Sequence, residues 1–436
     1  MAVVSCVAGG QWSCFGQEMM GESGSVAGGE FVVEAIQRIE AADSNGAADF
    51  NDEVVVVDSP QALVDSWDER IESLLSWGPV DIRPHIDYDV AYHDNIFASV
   101  EQDAIEDVIH EFSPGFAVES VASRIGGLGS EPLYFELDYT PTVRLFQDTT
   151  SQNNVDQAAR IVVQQPFQRV GLRGQFDFLD TQNPFAEAGN RTQKTITSGG
   201  LGVSYELGGK TSLDLGLRAE IRDFDFLIDT RQWSNMNWVD YDYSEKVNVG
   251  VGVGAGYTEV EDHSDFIMED LRVRAKWTPT EKLVASLSGG AQWRQFRDDV
   301  GDGSKVSPII AGDLAWYVLR NTMVRLLVSQ QVYASNFVGG NTEDNTRFSG
   351  QLRQRVLQKV DFTLSGGLGH IESNSFDPTI QSVRARGYHF FDAQVAYQFL
   401  DRGRFSLYYQ LREREGNSSV NESVQNRVGM RLGYSF

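Results

Sequence analysis

No stretch of this chain approaches the roughly 18 consecutive apolar residues that a membrane-spanning helix needs, so a helical membrane protein is excluded. Cysteine is nearly absent. Cys6 and Cys14, both near the N-terminus, leave no disulfide framework and no multi-cysteine zinc site, and a Cys-free body suits export through an oxidising periplasm. The 36 Lys and Arg are outnumbered by 62 Asp and Glu, and the net charge of -26 argues against nucleic acid, which is bound by a clustered cationic surplus. Lysine is scarcest: only Lys194, Lys210, Lys246, Lys276, Lys282, Lys305 and Lys359 occur, so Arg supplies the other bases. The 6 His are scattered and no Ser, His and acid motif is recognisable, so no enzymatic activity, metal or cofactor is expected.

What is present is Gly, 42 residues of the 436, and aromatics at 11%, with a mean hydropathy of only -0.30. A transmembrane barrel produces this combination, because each strand shows one face to lipid and the other to a polar interior.

Residues 1–78 hold 14 acids against Arg38 and Arg70, which sets this front segment apart. Residues 1–16 resemble the remnant of a signal sequence whose basic start lies further upstream. Val3-Val4-Ser5-Cys6 has the form of a lipobox, a pattern that also recurs by chance. Residues 17–78 read as an acidic segment. Within it Asp52-Glu53-Val54-Val55-Val56-Val57 resembles an energy-coupling box, but the chain has no room for the plug domain such receptors carry. Over residues 60–77 the apolar residues Leu63, Val64, Trp67, Ile71, Leu74, Leu75 and Trp77 fall at helical spacing, which predicts an amphipathic helix at the periplasmic rim.

From residue 79 to 436 the period changes to two. Ile82, Pro84, Ile86, Tyr88, Val90 and Tyr92 alternate with Arg83, His85, Asp87, Asp89, Ala91 and His93. Leu213, Leu215, Leu217, Ala219 and Ile221 likewise oppose Asp214, Arg218, Glu220 and Arg222, and Phe391, Ala393, Val395, Tyr397 and Phe399 oppose Asp392, Gln394, Ala396 and Gln398. Tight connections (208–210, 244–246, 279–282, 401–404) alternate with long polar ones (223–235, 297–305, 337–345, 374–382, 415–424), the asymmetry of periplasmic turns and extracellular loops. The fold predicted is all-β: a transmembrane antiparallel up-and-down barrel of 18 strands, with 16 as the alternative count. The strands are expected to start near residues 81, 107, 132, 154, 167, 192, 210, 236, 246, 266, 281, 305, 322, 343, 358, 382, 402 and 423.

The last segment sets Val428, Met430, Leu432, Tyr434 and Phe436 against Arg427, Gly429, Arg431, Gly433 and Ser435. Met430, Leu432, Tyr434 and Phe436 resemble the C-terminal signature by which barrel-assembly machinery recognises outer-membrane barrels. Asp94-Asn95-Ile96-Phe97, followed by Phe112-Ser113-Pro114-Gly115-Phe116, resembles the outer-membrane β-barrel porins associated with polysaccharide export loci. That resemblance implies an outer-membrane location, lipid and assembly-machinery partners, and polysaccharide-export partners.

The expected lumen-lining set is Arg144, Arg173, Arg218, Arg222, Arg272, Arg274, Lys276, Arg294, Arg325, Arg353, Arg355, Arg412, Arg427 and Arg431. Guanidinium grips carboxylate or phosphate with two hydrogen bonds, so such a wall suits acidic solutes, small or polymeric. The competing reading pairs these Arg with inward acids such as Glu136, Asp177, Asp214 and Asp392, which hold shape without selecting anything. His85, Asp87, Asp89 and His93 share a face, but His85 and His93 stand roughly 27 Å apart at ~3.4 Å per residue, too far for one ion. A pore is therefore expected. The alternatives are a structural barrel plugged by residues 17–78 and, more remotely, a barrel enzyme.

Overall fold

In the computed structural model, residues 75–436 are described apart from 78, 100, 121–132, 186–189, 262, 298–302, 336–340, 376–383, 401 and 416–421. The expectations placed on residues 1–74 lie outside the described residues.

A short strand, β1 (Leu75–Trp77), precedes eighteen long ones: β2 (Val80–His93), β3 (Asp107–Ser120), β4 (Tyr134–Phe146), β5 (Asn154–Pro166), β6 (Val170–Phe185), β7 (Asn190–Gly208), β8 (Thr211–Phe224), β9 (Thr230–Ser244) and β10 (Val247–Val260), then β11 (Asp265–Thr280), β12 (Leu283–Arg297), β13 (Ser304–Leu319), β14 (Thr322–Ala334), β15 (Asn341–Val356), β16 (Val360–Ser375), β17 (Arg384–Leu400), β18 (Gly403–Glu415) and β19 (Ser423–Ser435). Each pairs antiparallel with its sequence neighbours, and β19 pairs back onto β2, so the sheet closes as an 18-stranded barrel. Closure removes the free edges that lipid could not satisfy.

The tight connections lie at one rim, where Glu245-Lys246 and Glu281-Lys282 each fill a two-residue turn, and both ends of the barrel are at that rim too. This is the periplasmic side. The turn between β15 and β16 is unusual in placing two non-glycine residues, Leu357 (φ 55) and Gln358 (φ 59), in the left-handed region.

The predicted helix over 60–77 is corrected at its end. Leu75, Ser76 and Trp77 form β1, which pairs with Ile82, Asp81 and Val80 of β2. The ladder between β19 and β2 stops at Ser435 opposite His85, and the Phe436 amide donates to the Pro84 carbonyl at 2.8 Å. β1 therefore occupies the edge of β2 just past the point where β19 runs out. Leu74, Leu75 and Trp77 satisfied the helical spacing, but an unpaired strand edge next to them wins. The loop expected over 223–235 is also corrected, because β8 runs to Phe224 and β9 begins at Thr230.

Side chains alternate across the wall as the period-two pattern requires. On β11, Leu271 and Val273 are exposed outward while Asp270, Arg272 and Arg274 turn inward. Outward aromatics mark two levels: Tyr92, Trp233 and Trp293 toward the extracellular rim, and Tyr205, Tyr241, Trp277, Trp316 and Tyr397 toward the periplasmic one. On β9, Trp233 and Tyr241 are eight residues apart, about 27 Å along a strand and about 20 Å once tilted, a fit to the apolar band of an outer membrane.

Candidate functional site

The inner wall is where this sequence can meet a solute, and its side chains are organised by strand parity and by missing side chains. Arg173 on β6 lies across β7 to reach Asp214 on β8 at 3.6 Å, and a Cβ on the intervening Gly202 would collide with the Arg173 guanidine stem. Arg274 on β11 crosses β10 to grip Asp240 on β9 with two bonds, 2.7 and 2.6 Å, over Gly250, whose Cβ would strike the Asp240 carboxylate. Arg274 also sits 4.3 Å from the Trp238 ring centroid and 3.6 Å from Asp214, which joins the two bridges into one girder from β6 to β11. Of the β10 glycines, Gly250 makes room for this charged pair, whereas Gly252 makes room for Trp238 and Met236.

A second lattice crosses the closure seam. Asp156 on β5 pairs with Arg144 on β4 (3.1 Å), which pairs with Glu111 on β3 (3.0 Å). Glu111 in turn meets Arg427 on β19 (3.3 Å), which reaches Asp89 on β2 (3.1 Å). Asp89 also holds Arg431 at 3.2 Å and accepts the Tyr408 hydroxyl at 2.7 Å. The seam that closes the barrel is thus stitched on its lumen side by charge.

Elsewhere Arg218 and Arg222 share Glu220, Arg272 pairs with Asp270 (3.0 Å), and Arg325 grips Asp313 with two bonds of 3.1 Å. Arg353 and Arg355 share Asp361, and Arg412 meets Asp392 at 2.9 Å. Arg294 donates to Ser307 and lies 3.6 Å from Asp344, with no part of it exposed. Every Arg of the expected lining set therefore has an acid at hand, and Lys276 lies on the same inward row of β11 as Arg272 and Arg274. Of the acids expected as partners, Asp177, Asp214 and Asp392 pair with Arg160, Arg173 and Arg412, while Glu136 accepts the Tyr134 hydroxyl.

Pairing does not erase charge, and its distribution is uneven. Along β14–β19 the inward guanidiniums of Arg325, Arg347, Arg353, Arg355, Arg386, Arg404, Arg412, Arg414, Arg427 and Arg431 outnumber the carboxylates of Glu343, Asp344, Asp361 and Asp392. Along β2–β6 the balance inverts: Asp81, Asp87, Asp89, Asp107, Glu111, Glu119, Glu136, Asp138, Asp156 and Asp177 face Arg83, Arg144, Arg160 and Arg173. The lumen has a cationic side and an acidic side that meet at the seam. Strand spacing in the sequence picks out the inward cations, but the polarity emerges only when inward acids and bases are summed strand by strand.

At the extracellular mouth Val260, Phe266, Met268 and Phe296 pack with Ala334 of β14 and with Ile228 from the β8–β9 connection. This apolar cluster ties the tip of β14 and the β8–β9 connection to the extracellular ends of β10–β12. His85 faces inward and bonds Thr140 Oγ1 at 3.1 Å, while His93 is buried eight residues along the strand; among the described residues no group of three or more His, Cys, Asp or Glu is placed to hold a metal ion.

A closed barrel with Leu, Val and aromatic side chains exposed all round its outer wall, and most strand charge turned inward, is built for a bilayer. The chain is an outer-membrane β-barrel. No protein-family model and no curated protein matches it. Among solved structures it is similar to the outer membrane protein opdK from Pseudomonas aeruginosa, with TM-score 0.42 and 14% identity over 82% of this chain and 99% of that one. It is also similar to OccAB4 of Acinetobacter baumannii, with TM-score 0.45 and 11% identity over 81% and 98%. For Pseudomonas aeruginosa OccK2 (OpdF) the TM-score is 0.45 and the identity 10%, over 82% and 98%. At these identities the likeness is one of fold.

Proposed function

We propose that the barrel is a passive pore for small solutes, in which acidic groups travel along the arginine-rich strip of β14–β19. The supporting observation is the polarity of the inner wall. Arg355 and Arg431 keep about a quarter of their side chains accessible, 24% and 25%, so their charge is presented to the lumen even while Asp361 and Asp89 hold them. A barrel of 16 to 18 strands is wide enough for an aqueous channel. The apolar cluster at the extracellular ends of β10–β12 favours small solutes over a polymer, and the polysaccharide-export association rests on the resemblance carried by Asp94-Asn95-Ile96-Phe97 and Phe112-Ser113-Pro114-Gly115-Phe116. Planar-bilayer recording across a salt gradient tests this reading: channels with an anion-selective reversal potential are expected. Absence of conductance would shift the case to a structural barrel, the second reading, which the dense internal ion pairing favours.

A further inference from the structure

β9 interrupts the lipid-facing band at its centre. Its outward residues run Arg231, Trp233, Asn235, Asn237, Val239, Tyr241 and Tyr243. Asn237 is the middle residue of Thr230–Ser244 and lies four residues from each of the two level-marking aromatics, Trp233 and Tyr241. Other outward amides, such as Gln157 and Gln295, sit close to a strand end, while Gln330 lies four residues from the extracellular end of β14. In register with Asn237 are Leu215 on β8 and Val253 on β10, and in register with Asn235 are Leu217 and Ala255.

Hydrocarbon offers an amide neither donor nor acceptor. Asn237 Nδ2 donates to Asn235 Oδ1 at 3.4 Å, and that oxygen also accepts the Ala255 amide at 3.0 Å. Among the described residues Asn237 Oδ1 and Asn235 Nδ2 have no partner. A lone acceptor and a lone donor are left at the depth where lipid is least able to satisfy them, framed by apolar Leu215, Leu217 and Val253.

We propose that β9 is the contact strand of a dimer of this chain, related by a twofold axis along the membrane normal, in which Asn237 hydrogen-bonds the partner subunit's Asn237. A carboxamide is both donor and acceptor, so it complements a copy of itself. Rotation about the membrane normal preserves depth, so the same residue meets itself only through such an axis. Polar side chains that bond across an interface in the membrane favour association, because the alternative is an unsatisfied group in lipid. A second copy supplies the required amide at the required depth within an apolar surround, without invoking any other protein. The inference is independent of whether the lumen conducts.

The experiment uses the full chain with Cys6→Ser and Cys14→Ser. Oxidation of Asn237→Cys in native outer membranes is expected to give a disulfide-linked dimer, while Leu407→Cys, exposed on β18 away from β9, stays monomeric. In lipid nanodiscs the unaltered chain is expected to have the mass of a dimer. Asn237→Leu should weaken association at least tenfold, and Asn237→Gln should retain it. Asn237→Leu replaces an outward polar group by an apolar one, and heat-modifiable mobility verifies that its barrel has folded. A monomeric mass at all concentrations, failure of Asn237→Cys to cross-link, an unaltered dimer in Asn237→Leu, or another protein captured by the Asn237→Cys thiol in place of a second copy would each overturn the proposal.

Discussion

Asp94 and Asn426 are tied by three hydrogen bonds: the Asp94 carboxylate accepts the Asn426 backbone amide at 2.7 Å and its side-chain amide at 2.6 Å, and the Asp94 amide donates to the Asn426 carbonyl at 3.1 Å. The pair stands just beyond the last ladder step of the seam, Arg427 opposite His93. Next to it the buried Asn95 donates to the Val424 carbonyl at 3.1 Å and its own carbonyl accepts Gln425 at 2.8 Å. The Asp-Asn motif noticed in the sequence is a clasp at the extracellular end of the closure. Asp94→Ala should lower stability by about 1.5–3 kcal/mol, the range for hydrogen bonds to a charged group. Urea unfolding in lipid vesicles measures it, with the exposed Asp148→Ala as a near-silent control.

At the other end of the seam, Phe436 donates its amide to Pro84, and its ring meets Tyr434 edge-on at 4.9 Å. Deleting Phe436 together with Tyr434→Ser removes the last seam bond and the aromatic pair of the proposed assembly signature. Loss of the heat-modifiable band and of membrane insertion is expected. Normal insertion of this variant would deny the C-terminal face its role.

The two faces of one strand should respond differently to the same charge. Val395 on β17 is exposed outward, whereas its neighbour Gln394 turns inward. Val395→Arg should cost roughly 2–4 kcal/mol if it reaches the bilayer midplane, Leu432→Arg a similar or smaller amount, and Gln394→Arg close to nothing. Equal losses at Val395 and Gln394 would contradict the lipid and lumen assignment.

Most of the barrel was legible in the sequence because alternation and turn chemistry are local. Strand starts expected at 107, 154, 322 and 423 coincide with Asp107, Asn154, Thr322 and Ser423. The largest miss is β9, expected near 236 and found at Thr230, where the outward Asn235 breaks the apolar row and reads as loop. What spacing does not reveal is which acid an Arg reaches. Arg173 and Arg274 each pass over a neighbouring strand, which depends on Gly202 and Gly250 falling at the matching register of that strand. The role of Asp94 was equally hidden, since its partner lies 332 residues away in sequence.

The Arg274–Asp240 pair offers a test of the girder. Asp240 is 0% exposed, so Arg274→Met strands a buried carboxylate and should destabilise by about 3–5 kcal/mol. Combining it with Asp240→Leu removes both charges and should recover a substantial part of that loss, because apolar replacement of a whole buried pair is often near neutral. A double variant no better than Arg274→Met would mean that packing against Trp238, and not charge compensation, is what Arg274 supplies.

The selectivity prediction separates accessible arginines from shielded ones. Acids in the extracellular loops are screened within about 8 Å at physiological salt, whereas charges lining a narrow lumen act directly on a passing ion, so the wall should outweigh the net charge of -26. Arg355 and Arg431 retain partly accessible side chains on the cationic side; Arg294 is buried against Ser307 and Asp344. Replacing Arg355 and Arg431 together by Gln should therefore lower the anion-to-cation permeability ratio read from reversal potentials. Arg294→Gln should leave that ratio nearly unchanged while reducing stability. Cation preference in the unaltered pore would overturn the arginine-strip reading, and an equal loss of selectivity in both variants would mean that total inward charge, not its accessibility, sets the preference.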